Sequence, residues 1–516
     1  MASYFCRDSS SLRWSVSVAI LVSSVLLIRG ALYAVEIPEK ILTPDRVPTT
    51  IGELEFDDGR PTPETSQLVY DNLFRIRATE AFLDFVPMAS LEAMRVGMVG
   101  QGVDAPNKVM LFDDLMTSSS LFLTGNTDTV YASSVFDLSK TGPLVVEIPP
   151  GAGPGTVNDA FFRFVVDMGG PGPDRGKGGK YLILPPDWDG EVPAGYFVAT
   201  SSSNVNWLIL RGLVKDGSPA AASAMWREGL KIYPLAEKGD PPAMEFLSGT
   251  GREFNTIHAN TAEFYDEIDA VVQREPDDFI DPELRGMLAS IGMVKGQPFE
   301  PDAREEKILE DAAAIANATA RSITFDSRSD TIHIYGDDSQ WMTAFDGGSY
   351  EWLRDGGGRN LDARTLFFYM ATVNTPAMVM KIPGVGSQYA WTAKDAQGEF
   401  LDGGRKYSLT LPADVPARNF WSVVAYDPQT RSMLVTDDPY PSVNSQTTRG
   451  LRENPDGSTT LYFGPEPPGG KEANWVQTVP GKGWFVLLRL YGPLESWFDQ
   501  TWRPGEFIPL AEWPAS

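Results

Sequence analysis

Twelve residues before Arg175, Arg163 stands in the run "AFFRFVVDM", with Asp167 four positions later. The glycine-dense stretch Gly169–Lys180 follows at once and carries Asp174, Arg175, Lys177 and Lys180. Glycine backbone can turn several N–H groups toward one point, and such a concavity, edged by cations, receives a carboxylate, sulfate or phosphate. If "AFFRFVVDM" is a strand, its period of two puts Arg163 and Asp167 on one face, about 13 Å apart at ~3.3 Å per residue, where both can line a cavity beside the loop. The alternative is a long hairpin loop whose glycines allow positive φ and whose charges keep it in water.

Nucleotide cradling does not fit. A phosphate loop needs Gly-Lys followed by Ser or Thr and then a helix, whereas Lys180 is followed by Tyr181 and the strand-like "YLILPP". A dinucleotide fingerprint fails for want of the same helix. His258 and His333 are the only histidines, so a histidine-rich metal site cannot form within one chain, and neither H-E-x-x-H nor G-x-S-x-G occurs. Carboxylate chemistry survives this elimination: paired Asp or Glu residues for acid and base work, or dispersed oxygen ligands for calcium, with no EF-hand spacing and no cofactor specified.

A second lone cation stands out. In "WFVLLRLYGP", Arg489 shares a face with Phe485, Leu487 and Tyr491. A guanidinium among apolar neighbours needs a partner, either a structural carboxylate or that of a ligand.

The elements that must hold these residues follow from pattern. Across 516 residues, more than one core is expected, since single cores stop growing at roughly 250–300 residues. The first segment, residues 1–34, has Arg7 and Arg13 ahead of the apolar run Trp14–Ile28 and ends in "ALYA". That is the layout of a secretory signal cleaved after Ala34, with an uncleaved membrane anchor as the alternative. Cys6 is the only cysteine and lies within it, so disulfides and thiolate chemistry are excluded from the remainder.

Residues 35–218 read as a sheet-rich domain behind a helix that starts at Thr62, a cap, and Pro63, a first-turn proline. Phe74, Ala78, Ala81, Phe82 and Phe85 recur at helical spacing, and Pro87 is expected to interrupt or kink the helix. Strands are expected in "TDTVYASSVFDLS", "PLVVEIP", "AFFRFVVDM", "KYLILPP" and "NWLILRGLV", mainly antiparallel. Residues 219–330 read as a helical layer or linker, and residues 331–516 as a β-sandwich or jelly roll with an aromatic core, holding nine of the 13 tryptophans. The fold class is α+β.

The formal charge of −26 repels phosphate backbones and anionic lipid, which argues against nucleic acid and against membrane attachment beyond the N-terminal segment. Small ligands are the expected partners. Nothing in the pattern fixes an oligomeric state.

"GNTDTVYASSVFDLSKTGPLVVEIPPG" with the stretch from Phe161 through Gly212 resembles the bacterial domain of unknown function 1254. "FWSVVAYDPQTRSML" with "NPDGSTTLYFGPEPPGGKEANWVQTVPGKGWFVLLRLYGP" resembles its usual partner, the domain of unknown function 1214. The resemblance implies an exported envelope protein, periplasmic or secreted, with a mixed first domain and a sandwich-like second one. It draws notice to Asn126, Asp128 and Tyr131 in "NTDTVY", to Asp174, Arg175, Lys177 and Lys180 in the loop, and to Trp421, Tyr426, Asn474, Trp475 and Arg489. Thr127 stands where relatives commonly have proline, and the alternative role for this motif is a turn supported by its Asn and Asp side chains. Two function classes result. One is a binding protein that takes a small anionic or saccharide ligand near the basic loop. The other is an envelope hydrolase of anionic esters or glycans, with Asp128 or Asp167 as acid or base and the loop cations receiving charge.

Overall fold

The computed structural model describes residues 37–514. The signal or anchor reading of residues 1–34 lies outside the described residues. The chain forms two compact units, one ending at Leu68 and one running from Val69. The described part of the first holds a three-stranded antiparallel sheet, Arg46–Thr49, Gly52–Asp57 and Arg60–Pro61. There Thr62 caps the helix Pro63–Gly100 as expected, its hydroxyl accepting the Thr65 amide at 3.2 Å.

In the second unit that helix runs on through Pro87 to Gly100, so of the interruption or kink expected there, the interruption does not occur. Proline removes the bond to the carbonyl four residues back, that of Leu83, and the Thr365 hydroxyl donates to this carbonyl instead at 3.3 Å. Ala78, Ala81, Phe82 and Phe85 are fully buried, as their spacing requires, and Phe82 stacks on Phe264 of the helix Glu263–Arg274 with centroids 3.9 Å apart.

The helices cover one face of a six-stranded sheet. Its order is Glu245–Ser248, Lys108–Leu111, Thr129–Asp137, Val205–Leu213, Gly155–Asp159, Phe164–Met168, antiparallel except at the first pair. A four-stranded sheet, Phe197–Thr200, Gly179–Leu184, Leu144–Ile148, Lys231–Pro234, packs on the other face. "NWLILRGLV" is nearly continuous in apolar residues because both its faces are covered. Trp207 and Ile209 enter the core under the helices, and Leu208 and Leu210 enter the core between the sheets. Arg211, next in the Trp207–Ile209 row, points the same way.

"AFFRFVVDM" is not one strand. Gly155–Asp159 ends before a tight turn through Ala160–Arg163, and the next strand starts at Phe164. Phe162 occupies the turn at φ 54°, a left-handed conformation that nothing in its side chain advertises. Arg163 is therefore in a turn and Asp167 in a strand, and the shared strand face expected for them does not exist. Residues 219–330 contain helices Ala220–Gly229, Glu263–Arg274, Pro282–Ala289 and Ala303–Phe325, but also the strands Lys231–Pro234 and Glu245–Ser248 that complete the sheets. The described residues from Val69 onward, across positions 218 and 330, lie in the second compact unit.

The C-terminal part is a sandwich of two four-stranded sheets: Ser387–Thr392, Phe485–Pro493, Ala417–Tyr426, Ser442–Asn444, and Trp475–Gln477, Thr459–Gly464, Lys406–Leu411, Ile508–Leu510. Val486, Leu488 and Leu490 meet Leu409, Leu461 and Phe463 in its core. The alternate residues Phe485 and Leu487 leave that core and join the one under the helices. Arg489 follows in their row. The helix Leu361–Met370, nearly all buried, had no polar face by which its periodicity could be recognised. No helix among the described residues is long and apolar enough to cross a membrane.

Candidate functional site: a cavity with two arginines

Two rows of alternating side chains, one from the six-stranded sheet and one from the sandwich, meet between the two parts, and each row carries an arginine. Arg211 is the register partner of Tyr131 across the Thr129–Asp137 strand, and its guanidinium lies 5.6 Å from the Tyr131 ring centroid. Arg489 is the register partner of Tyr389 and lies 5.5 Å from that ring. Both arginines and both tyrosines line one cavity of about 40 Å³, with Phe122 and Val373 among its apolar walls. A second cavity of about 30 Å³, lined by Asp167, Pro171 and Thr375, shares Arg211 and Tyr389 with the first. Since ~10–15 Å³ measured this way admits one water, each has room for a few heavy atoms.

Arg489 is 5% exposed. One nitrogen, Nη2, donates to the Thr124 carbonyl at 2.6 Å and to Tyr426 Oη at 2.8 Å, while Nε is buried without a partner. Arg211 is half-buried along its length, with its guanidinium enclosed by protein. Among the described residues neither has a carboxylate at ion-pair distance; the groups that bear on them most are tyrosines. Burial opposes both charges, while neighbouring tyrosines favour them, Tyr131, Tyr389 and Tyr491 at Arg211 and Tyr426, Tyr491, Tyr131 and Tyr389 at Arg489, and both pKa values end above the ordinary arginine value. The cavity therefore holds two guanidiniums, neither of them in an ion pair with the described residues.

Asp167 stands at the edge of this site. Its Oδ2 accepts from Thr375 Oγ1 at 2.7 Å, and its Oδ1 is buried without a partner. Burial raises its pKa, with the hydroxyls of Thr375 and Thr156 and the charge of Arg211 acting against the rise. Asp128 is used otherwise. It is fully buried, and its carboxylate accepts from Ser422 Oγ at 2.6 Å, Asn444 Nδ2 at 2.8 Å and Tyr491 Oη at 3.0 Å, all from the sandwich. It clasps the two parts together and lines neither cavity. Asn126 supports the turn before it: Oδ1 accepts the Asp128 amide at 3.0 Å, and Nδ2 donates to Tyr131 Oη. Tyr426 Oη, besides accepting from Arg489, donates to the Gly125 carbonyl at 2.7 Å.

The glycine loop has already filled its own concavity. Asp174 is buried and accepts from the amides of Gly169 at 2.8 Å and Gly178 at 3.1 Å, and from Tyr181 Oη. The anion held by this backbone is thus a side chain of the loop. Burial and the Asp174 charge push the Tyr181 phenol far up, so it remains a donor. Arg175 and Lys177 are exposed, Lys180 pairs with Glu147 at 2.9 Å, and all three line neither cavity of the two-arginine site. Only the start of the loop, Pro171, reaches that site.

The remaining expected residues are spread through the molecule. Arg163 pairs with Asp159 at 2.7 Å and faces a different, larger cleft. Trp421 is in the sandwich core. Asn474 ties the Arg452 backbone and the Thr460 carbonyl together, and Trp475 Nε1 donates to the Gly464 carbonyl at 3.0 Å. His258 is buried, with Nδ1 on the Ala259 carbonyl and Nε2 3.4 Å from Arg431 Nη2. No cluster of three His, Cys, Asp or Glu side chains fit to hold a metal occurs among the described residues.

No curated protein matches the chain. Among solved structures, the VPA0106 protein from Vibrio parahaemolyticus is similar at a TM-score of 0.52 and 18% identity, over 85% of this chain and 100% of that one. This likeness bears on the fold alone. An uncharacterised protein from Burkholderia cenocepacia is similar at a TM-score of 0.38 and 12% identity, over 86% of this chain and 96% of that one. Residues 106–234, which supply Asp128, Tyr131 and Arg211, match the family model of a protein of unknown function, DUF1254, and residues 386–495, which supply Tyr389, Arg489 and Tyr491, match that of DUF1214. The chain thus joins a DUF1254 segment to a DUF1214 segment, with one arginine of the cavity from each.

Proposed function

We propose that this is an exported protein of the cell envelope that binds a small organic or inorganic oxyanion between its DUF1254 and DUF1214 segments, in the cavity of Arg211 and Arg489. The observation that carries the reading is that two enclosed guanidiniums share one cavity without a carboxylate partner. An unpaired buried charge costs several kcal/mol, and a bound oxyanion supplies what the fold omits. The fork of an arginine suits a planar carboxylate, and the cavity volume selects one of few atoms. The N-terminal apolar run behind Arg7 and Arg13 supports the exported location.

Calorimetric titration with formate, acetate, sulfate and phosphate tests the reading. One site per chain is expected for at least one of them, weakened at least tenfold in Arg211→Gln. If no anion binds in this series, or Arg211→Gln binds as the unaltered protein does, the reading fails.

A hydrolase reading is favoured by one observation: Asp167, a carboxyl with a raised pKa and a free oxygen, adjoins Arg211. Asp167 would then serve as the acid and Arg211 would receive developing negative charge. Turnover of a small ester such as 4-nitrophenyl acetate, lost in Asp167→Asn with anion binding retained, is the outcome that distinguishes it.

A further inference from the structure

A cleft larger than the two-arginine cavity lies elsewhere in the second unit. It has a volume of about 390 Å³, within the ~300–1,000 Å³ of sites that enclose ring-sized ligands. Phe161, Phe164, Phe279, Tyr350 and Trp352 supply its walls. The Arg163 guanidinium, 4.5 Å from the Phe279 ring centroid and 5.7 Å from that of Phe161, holds two of these rings in place.

Most polar groups of the cleft are already used. Arg163 bonds Asp159 and the Phe279 carbonyl, Ser202 bonds Asp159, and Asp281 caps the helix Pro282–Ala289. Two are not. Asn374 is 5% exposed, and its side-chain amide makes no hydrogen bond; Oδ1 is buried without a partner. Arg364 is 6% exposed, and only its Nη2 is engaged, by Asp84 at 2.5 Å, while Nε is buried without a partner. Leaving a buried polar group unpaired costs ~1–3 kcal/mol. Both side chains line the ring-walled cleft, and their Arg364 Nη1 and Asn374 Nδ2 groups are donors that bond no protein acceptor among the described residues.

The backbone supports this placement. Val373, β-branched and buried, is held at φ 72°, a conformation that costs of order 1–3 kcal/mol and that packing must impose. Through it the chain presents Val373 to the two-arginine cavity and Asn374 to the cleft.

Charge chooses among ring-bearing ligands. Arg359 also lines the cleft and bonds only the Glu351 carbonyl, at 2.5 Å. Burial lowers the pKa of Arg364, Asp84 resists this, and the nearby charge of Arg359 adds to the lowering. Asp281, the other carboxylate bearing on Arg364, is committed to its helix cap, and Glu351, exposed like Arg359, also lines the cleft. An added anion relieves the repulsion between the two guanidiniums.

We infer that this cleft is a second binding site, for a planar aromatic carboxylate, with the ring against the phenylalanine wall and the carboxylate accepting from the Arg364 guanidinium and Asn374 Nδ2. The site is independent of the two-arginine cavity. Calorimetry with 2-naphthoate and its neutral isostere 2-naphthamide tests it, on the full chain and on Asn374→Ala, Arg359→Ala and Arg211→Gln. Asn374→Ala removes a side chain without hydrogen bonds, and Arg359 is exposed, so both variants are expected to fold. The expected result is one site for 2-naphthoate, at least tenfold tighter than for 2-naphthamide, weakened at least tenfold by Asn374→Ala and by Arg359→Ala and unchanged in Arg211→Gln. Absence of saturable binding, equal binding of acid and amide, or full affinity in Asn374→Ala overturns the inference. Loss of binding in Arg211→Gln overturns it too, by placing the ligand in the other cavity.

Discussion

Tyr491 donates its phenol proton to Asp128 at 3.0 Å, so that a strand of the DUF1214 sandwich is tied to the turn that opens the longest pair of strands in the DUF1254 sheet. Ser422 and Asn444 hold the remaining lone pairs of the same carboxylate. The rows that bring Arg211 and Arg489 to one cavity depend on this clasp.

Asp128→Asn turns one acceptor oxygen into a donor that faces donors. A loss of ~2–4 kcal/mol is expected, from buried hydrogen bonds left unmade. Urea unfolding measures it, and a loss within ~0.5 kcal/mol, the range of ordinary surface changes, would show that the clasp is unimportant.

The glycine loop is expected to respond through its acid and not through its cations. Asp174→Ala leaves two amides and a phenol without their acceptor, and a cost of ~2–3 kcal/mol follows. Arg175→Ala and Lys177→Ala, both at exposed positions, should each change stability by less than ~0.5 kcal/mol and leave acetate binding as it was. Weakened binding in Lys177→Ala would return the anion site to the loop.

That contrast marks how far the sequence was legible. The α+β class, the long helix, most strands and the sandwich follow from period and turn chemistry, because covered faces leave regular apolar rows. Arg489 stands out as a cation in an apolar strand, and by the same rule Arg211 in "NWLILRGLV" is readable. The basic loop drew attention through composition, which cannot tell that Asp174 folds back into the backbone concavity. The turn at Phe162 and the helix Leu361–Met370 were hidden for a different reason: tertiary packing imposes a left-handed phenylalanine in one and buries every face of the other. That the helix continues through Pro87 is not legible locally, because the hydroxyl that takes up the freed Leu83 carbonyl lies almost 280 residues away, on Thr365.

Two buried groups shape the dependence of stability on pH. Burial lifts Glu267 to about 8 from 4.5, with the Ala259 amide opposing, so between these values the folded state holds a proton that the unfolded state has lost. Its contribution falls as pH rises through that window, by at most ~1.4 kcal/mol per pH unit. Burial and Arg431 hold His258 near 3, below its usual 6.5, so there the unfolded state takes up the proton and stability falls as pH drops from 6.5 toward 3. From about 4.5 to 6.5 the two slopes cancel. Unfolding at pH 6.5 and 8 should show the alkaline loss in the unaltered protein and a smaller one in Glu267→Gln; an equal loss in both removes Glu267 as its cause.

The presence of an anion between the two arginines can be seen directly. A crystal soaked in sodium bromide, with diffraction recorded at the bromine absorption edge, should show an anomalous peak in contact with the guanidiniums of both Arg211 and Arg489. A cavity without a peak, in a crystal where bromide has bound at Arg175 and Lys177, would contradict the assignment of the anion site to the junction of the two segments.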